Sequence, residues 1–261
     1  MNHSLSIHQI DGFINNGFVK IENAFSAAVA AQCVDLLWKA TNCQPDDQTT
    51  WTQPVIRIGE MTDAPFIEAA NSAFLHNAFN QLVGKDNWIP KTSIGSFPIR
   101  FPSQEKAKDT GWHVDASFPG ENSSNYLEWR INVQSKARGL LMLFLFSDVS
   151  ENDAPTKLKI GSHLNVARLL APAGEKGLAF MELAAHLNSI SDCAETIATG
   201  KAGTVYLCHP FIVHAAQDHL GTEPKFMAQP ALMTKNDFIF ETSHSSNYPV
   251  VEAILKGLNK N

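Results

Sequence analysis

Trp112-His113-Val114-Asp115 and, far downstream, Leu207-Cys208-His209-Pro210-Phe211-Ile212-Val213-His214 are the stretches on which the reading of this chain turns. In an extended chain, residues two apart point to the same side. His113 and Asp115 can therefore converge on one ion while Trp112 and Val114 turn away. His214, at the end of an apolar run, offers a third donor from a remote strand. Two imidazole nitrogens and one carboxylate can hold one face of an Fe(II) ion and leave three positions open. An H-x-D tripeptide also arises by chance, and a surface or capping role for His113 is the alternative reading. The second histidine and its strand-like setting favour the metal.

Composition sets the frame for this site. The chain has 261 residues, 44% hydrophobic and 18% charged, which is ordinary globular usage with enough length for a sizeable core. A formal net charge of -6 without a basic run argues against nucleic acid and anionic membranes as partners. The four cysteines, Cys33, Cys43, Cys193 and Cys208, have no paired spacing and read as reduced thiols. The opening residues lack a basic-then-apolar leader, and the longest apolar run, Leu140 to Phe146, is too short to span a bilayer. A soluble, cytoplasmic protein is expected.

The order of elements predicts one domain over 1–261, mainly β with flanking helices. Residues 1–87 form a mostly helical front. Ile7 to Asn16 reads as a helix ended by Gly17, and Phe18 to Ile21 as a short strand. Ser26 caps a helix that places Val29, Cys33, Leu36, Leu37 and Ala40 on one face. Asn42 to Gln53 reads as a loop, and Pro65 to Leu82 as helical up to Gly84. Residues 88–235 form a strand-rich body with a helical insertion at about 163–187, and 236–261 a tail with a closing helix over Val250 to Leu258. The strands expected are Thr92 to Phe101, Trp112 to Asp115, Ile131 to Val133, Leu140 to Ser147, Lys157 to Ile160, Thr204 to Cys208, Ile212 to Ala215 and Phe226 to Met233. That succession suits a two-sheet barrel or jelly roll.

A second piece of chemistry follows His214. The turn-rich segment Asp218-His219-Leu220-Gly221-Thr222 predicts an antiparallel hairpin that returns Lys225 to the neighbourhood of His214. Adjacent strands lie about 4.8 Å apart. A 2-oxoglutarate molecule chelating a metal through its keto-acid end needs a cation roughly one such spacing further on, for its distal carboxylate. Lys225 is placed for that role. The alternative is an exposed strand lysine in a surface ion pair.

These residues together resemble the phytanoyl-CoA dioxygenase family. The likeness is carried by His113-Val114-Asp115, by Asp153-Ala154-Pro155 running into Ile160-Gly161-Ser162-His163, and by His209 to His214. The opening Ile10-Asp11-Gly12-Phe13-Ile14-Asn15-Asn16-Gly17-Phe18-Val19 is similar too. The resemblance spans nearly the whole chain. It implies a double-stranded β-helix (jelly roll, cupin-like), with His113, Asp115 and His214 as iron ligands. It also implies Fe(II), 2-oxoglutarate and O₂, and hydroxylation of an aliphatic C–H of a small molecule with release of succinate and CO₂. One departure stands out: the family normally carries arginine where this chain has Lys225. Lysine keeps the charge and loses the bidentate fork. Related halogenases have a small residue at the position of Asp115, so a carboxylate there favours hydroxylation.

The remaining candidates are weaker. Arg100, Trp112, Phe118, Arg130 and Gln229 are candidate walls of a substrate pocket, although single arginines are usually surface charges and aromatics at strand spacing are usually core. Arg138 is a further candidate for an anionic group. Gly161-Ser162-His163 reads as a turn and helix start or as support for the metal site, and His209 as a structural histidine. Low positive charge favours a small free metabolite over a CoA ester. Two other functions fit the same residues: a binding or regulatory member of the fold with weak or no turnover, and a cupin-like zinc hydrolase, since the donor set also suits zinc.

Overall fold

In the computed structural model, which describes residues 4–122, 124–187, 190, 192–240 and 248–259, the front is helical because apolar residues recur at helical spacing between explicit caps. Helix α1 (Ile7–Asn16) starts at Ser6, whose hydroxyl accepts from Gln9 N while the Gln9 side chain accepts from Ser6 N. This reciprocal box satisfies two end donors. The helix stops at Gly17, in left-handed backbone at φ 88°. A Cβ there would come within 2.6 Å of His163 Nδ1, so glycine is required on two counts. Strand β1 (Phe18–Ile21) follows. Helix α2 (Ala27–Thr41), capped by Ser26, buries Val29, Cys33 and Leu37. Strand β2 (Val55–Ile58), in a stretch for which the sequence predicts no element, pairs with residues 97–100. The helical spacing across Pro65 to Leu82 resolves into α3 (Ala64–Ala70) and α4 (Ala73–Val83). The break falls at Ser72, whose hydroxyl accepts from Leu75 N and so starts a new helix.

The body supplies strands β3 (Phe97–Arg100), β4 (Arg130–Ile131), β5 (Arg138–Leu145) and β6 (Lys157–Lys159), then helix α5 (Ser162–Leu170), β7 (Leu178–Ala179) and helix α6 (Phe180–His186). After these come β8 (Glu195–Ile197), β9 (Val205–Cys208), β10 (His214–Ala215), β11 (Met227–Ala228) and β12 (Ala231–Met233). Helix α7 (Pro249–Leu258) closes the chain against α5, α1 and α4. Of the tail expected over 236–261, residues 241–247 lie outside the described residues.

All strand pairs among the described residues are antiparallel. The largest sheet runs β1-β9-β5-β11, with β12 also on β5; a second sheet runs β10-β6-β8; β2-β3 and β4-β7 are short pairs. Strand β5 explains how the layers stack. Its residues Leu141, Leu143 and Leu145 share one apolar cluster with Leu158 of β6, Ile212 and Met227. The alternate residues Leu140, Met142 and Phe144 belong to a larger cluster with Phe25, Phe66 and Phe97. One face of the large sheet therefore meets the smaller sheet, and the other meets the helical front. A strand buried on both faces reads as a continuous apolar run, which is the texture of Leu140 to Phe146. Trp112 to Asp115 departs from expectation, because it holds only a single bridge, His113 to His214, and no strand. No helix among the described residues is long and apolar enough to cross a membrane.

Leu143 is fully buried between the two sheets. Leu143→Ala is expected to lower the unfolding free energy by about 2–5 kcal/mol, from lost transfer energy plus the cavity left behind. Urea denaturation measures this, and a loss under about 1 kcal/mol would mean that the two sheets do not meet at this position.

Candidate metal centre

Two reciprocal backbone hydrogen bonds build the centre. His113 N donates to His214 O at 2.9 Å, and His214 N donates to His113 O at 2.9 Å. The β10 segment is held from its other side by pairing with β6, His214 opposite Leu158. Lys159 N donates to Val213 O, and Val213 N donates to the hydroxyl of Ser162 at 2.9 Å. The segment Gly161-Ser162-His163 thus supports the centre through the backbone beside His214. His163 itself turns away, with Nε2 on the carbonyl of Ile14. His209 is structural as expected, buried between the Phe211 amide and the Val250 carbonyl.

Local geometry orients both rings. His113 Nδ1 lies 2.9 Å from Gly111 O, and His214 Nδ1 lies 3.2 Å from Ile212 O. A carbonyl only accepts, so each Nδ1 carries a hydrogen, and in a neutral ring Nε2 is the nitrogen that presents a lone pair. Asp115 Oδ1 is 3.7 Å from the Nε2 of His113 and 3.7 Å from that of His214. These separations are too long for direct hydrogen bonds and leave room for an ion between them. His113, Asp115 and His214 form a group whose ligand atoms all lie within 4.8 Å of one another. The other carboxylate oxygen, Oδ2, accepts from Arg138 Nη1 at 2.8 Å.

Electrostatics set the protonation states that a metal requires. Burial, and then the charge of His113, push His214 down to about 4 against the opposing pull of Asp115. Burial pushes the Asp115 carboxyl upward, but the charges of Arg138, His214 and His113 and the Arg138 hydrogen bond outweigh it and hold the group at about 2. Near neutral pH His214 is therefore neutral and Asp115 ionised, as ligation demands. The nitrogen and oxygen donors fit Fe(II) and also Zn(II). Gln229 donates its amide to the same His214 Nε2 at 2.9 Å, a lone pair that an ion would claim.

The centre opens into a cavity of about 370 Å³, a size that suits a small molecule. Arg100, Lys225, Gln229, Arg138, Tyr126 and Phe180 share its lining with the triad. Arg100 is buried and binds both oxygens of Asp109, at 2.8 and 2.9 Å, and Arg57 binds Asp109 as well. Lys225 is only 1% exposed. Its Nζ donates to the carbonyl of Ala154, a residue in left-handed backbone at φ 51°. No carboxylate among the described residues lies within ion-pair distance of Lys225. Burial, followed by the charge of Arg100, pushes the Lys225 amine well below its ordinary value.

Lys225 reaches this cavity by a different route from the hairpin expected. Its backbone pairs with Arg100 in both directions, Arg100 N to Lys225 O at 3.1 Å and Lys225 N to Arg100 O at 2.8 Å. The segment 216–224 does not form a hairpin that pairs Lys225 with His214; His214 pairs with His113 and Leu158. Asp218 accepts from Ala107 N, and Leu220 N donates to Asn152 O, so the segment spreads over two other loops. Three of the expected pocket residues lie elsewhere. The Trp112 ring sits under the ammonium groups of Lys157 and Lys159, 4.6 and 5.0 Å away. Phe118 and Arg130 pair through their backbones and line a separate open cleft. The Arg130 guanidinium is taken by the carbonyls of Lys176 and Gly177. Phe180 and Tyr126 also line the cavity, with no local sequence signal to mark them. Phe180 lies beside the His113 ring, at 5.7 Å between centroids.

No protein-family model and no curated protein sequence matches the chain. Solved structures do. SnoK, a non-haem α-ketoglutarate-dependent carbocyclase from nogalamycin biosynthesis, superposes with a TM-score of 0.61 at 16% identity, over 88% of this chain and 84% of its own. EctD from S. alaskensis, solved with 2-oxoglutarate and 5-hydroxyectoine, gives 0.57 at 19% identity, over 90% and 78%. HygX from Streptomyces hygroscopicus, solved with nickel, 2-oxoglutarate and hygromycin B, gives 0.57 at 15% identity, over 88% and 88%. At these identities the chain shares a fold with non-haem 2-oxoglutarate-dependent enzymes.

The buried histidines make stability depend on pH. His214 and His163 are each held near 4 in the folded chain, against an unfolded value of about 6.5. The unfolded chain binds more protons between these values, so stability rises with pH across the interval and is lost as pH falls through it. Each group contributes a slope of about 1.4 kcal/mol per pH unit there. Chemical denaturation from about pH 7 down to 4 is expected to show this loss, and added divalent metal to oppose it by competing with protons for His214. An acid transition insensitive to metal would contradict the placement of His214 at the centre.

Proposed function

We propose that the chain is an Fe(II)- and 2-oxoglutarate-dependent dioxygenase, an oxidoreductase that hydroxylates an aliphatic C–H of a small-molecule substrate. Its frame is a double-stranded β-helix of the kind the phytanoyl-CoA dioxygenase family carries. One observation bears most of the weight. A neutral imidazole, a second imidazole and an ionised carboxylate converge in a cavity that also holds a buried lysine without a carboxylate partner. Such a lysine wants an anion from a ligand. The neighbours solved with iron or nickel and with 2-oxoglutarate support the same reading.

When bound, Fe(II) together with 2-oxoglutarate and O₂ supplies the oxidising power for C–H cleavage, with succinate and CO₂ as by-products. The chain's own residues hold and orient. His113 and His214 give Nε2, and Asp115 gives Oδ1 while Arg138 occupies Oδ2. Lys225 takes the distal carboxylate of 2-oxoglutarate. Gln229 lies against His214 in the wall of the same cavity. Phe180 covers the His113 ring and limits water. A carboxylate at position 115 favours hydroxylation over halogenation. The scattered free thiols of Cys33, Cys43, Cys193 and Cys208 support a cytoplasmic setting.

Anaerobic titration tests the assignment. Fe(II) plus 2-oxoglutarate should give the visible charge-transfer absorption of a chelated keto acid, and His113→Ala or His214→Ala should abolish it. Lys225→Ala should weaken 2-oxoglutarate about ten- to a hundredfold, since a charge-assisted bond is worth about 1.5–3 kcal/mol. Iron binding should barely change. Undiminished 2-oxoglutarate affinity in Lys225→Ala would move the carboxylate to another cation, and zinc-dependent hydrolysis without iron activity would replace the oxygenase altogether.

A further inference from the structure

Lys225 is chemically unlike the arginine that would do the same task, because an ammonium can lose its proton inside a protein and a guanidinium cannot. Its surroundings favour that loss. The side chain is 1% exposed, and its Nζ has one backbone carbonyl as partner. The charged and titratable groups around it come from four segments. Arg100 lies on β3, in backbone register with Lys225. Asp109 comes from the loop before His113 and is already held by Arg100 and Arg57. Asp153 precedes Ala154 and accepts from Ser150 N. His219, from the segment 216–224, is itself lowered, first by burial, and its ring is tied to the carbonyl of Glu223. Arg100 opposes a charge on Lys225 while Asp109 and Asp153 favour one, and burial weighs most. A carboxylate arriving at Nζ reverses the balance, because it pairs with the ammonium and not with the amine.

We infer that 2-oxoglutarate binding takes up one proton, onto Lys225, so that the affinity of the site for its co-substrate is set by pH. This rests on the function proposed above. The sign follows from linkage. In the free protein burial depresses the lysine, and in the complex the carboxylate raises it. Between those two values the free amine must capture a proton in order to bind. Affinity therefore falls as pH rises, by up to about tenfold per pH unit. At lower pH the lysine is charged in both states and the dependence vanishes. The carboxylates of 2-oxoglutarate stay ionised throughout and contribute no slope.

Calorimetry of 2-oxoglutarate into the Fe(II)-loaded protein, without oxygen, measures this directly. Runs in Hepes and in Tris, whose ionisation heats differ, give the number of protons exchanged. The range from about pH 6.5 to about 9 covers the interval below the ordinary lysine value. Wild-type protein should take up close to one proton within that range and lose affinity as pH rises. Lys225→Arg should bind with no uptake and a flat profile. Binding by wild type with no proton exchanged overturns the inference and leaves the co-substrate assignment intact. Equal uptake in wild type and Lys225→Arg also overturns it, by placing the proton elsewhere. Binding by neither protein, with no charge-transfer absorption, overturns the functional reading and the inference with it. The wild-type proton count decides the matter even if arginine proves too large for the site.

Discussion

The paired hydrogen bonds between the backbones of His113 and His214 are the constraint on which the centre depends. Without them the two histidines belong to loops with no reason to meet. With them, each ring is turned by a carbonyl two residues earlier in its own chain, and both Nε2 atoms face Asp115. The bridge in turn rests on β6 and Ser162, which pin Val213 from the opposite side. The smaller sheet is thus the wall that carries His214, and the face of β5 packed against it keeps that wall in place.

Charge is distributed around this geometry in a consistent way. Asp115 is ionised because Arg138 stands on its second oxygen, and His214 is neutral because it is buried. Arg100 is buried yet balanced by Asp109. Lys225 has no such carboxylate partner among the described residues, and its Nζ donates to the carbonyl of Ala154. A charge left unpaired in such a place is costly, and burial accordingly pushes the Lys225 ammonium toward the neutral amine.

Much of this was legible in the sequence, and the rest fails for physical reasons. The triad could be read because H-x-D is a local pattern and His214 ends an apolar run. The helices at Ile7–Asn16 and Ala27–Thr41 carried their caps in Ser6, Gly17 and Ser26. Lys225 was placed near the centre through a hairpin that does not form, and Arg100 is the strand neighbour that brings it there. The clamp by Arg138 had no local signal, since it joins residues far apart in the chain. Trp112, Phe118 and Arg130 carry groups that suit a pocket, but the two rings lie under lysine ammonium groups and the guanidinium is held by turn carbonyls. A residue's chemistry announces what it can bind; which partner reaches it first depends on long-range packing.

The most direct test of the central claim is a crystal structure of the protein grown without oxygen with Fe(II) and 2-oxoglutarate, with the metal located by its anomalous scattering. The account predicts one metal bound by Nε2 of His113, Nε2 of His214 and Oδ1 of Asp115, and the distal carboxylate of 2-oxoglutarate on Lys225 Nζ. Metal bound at other residues, or a triad left empty at saturating Fe(II), would contradict it.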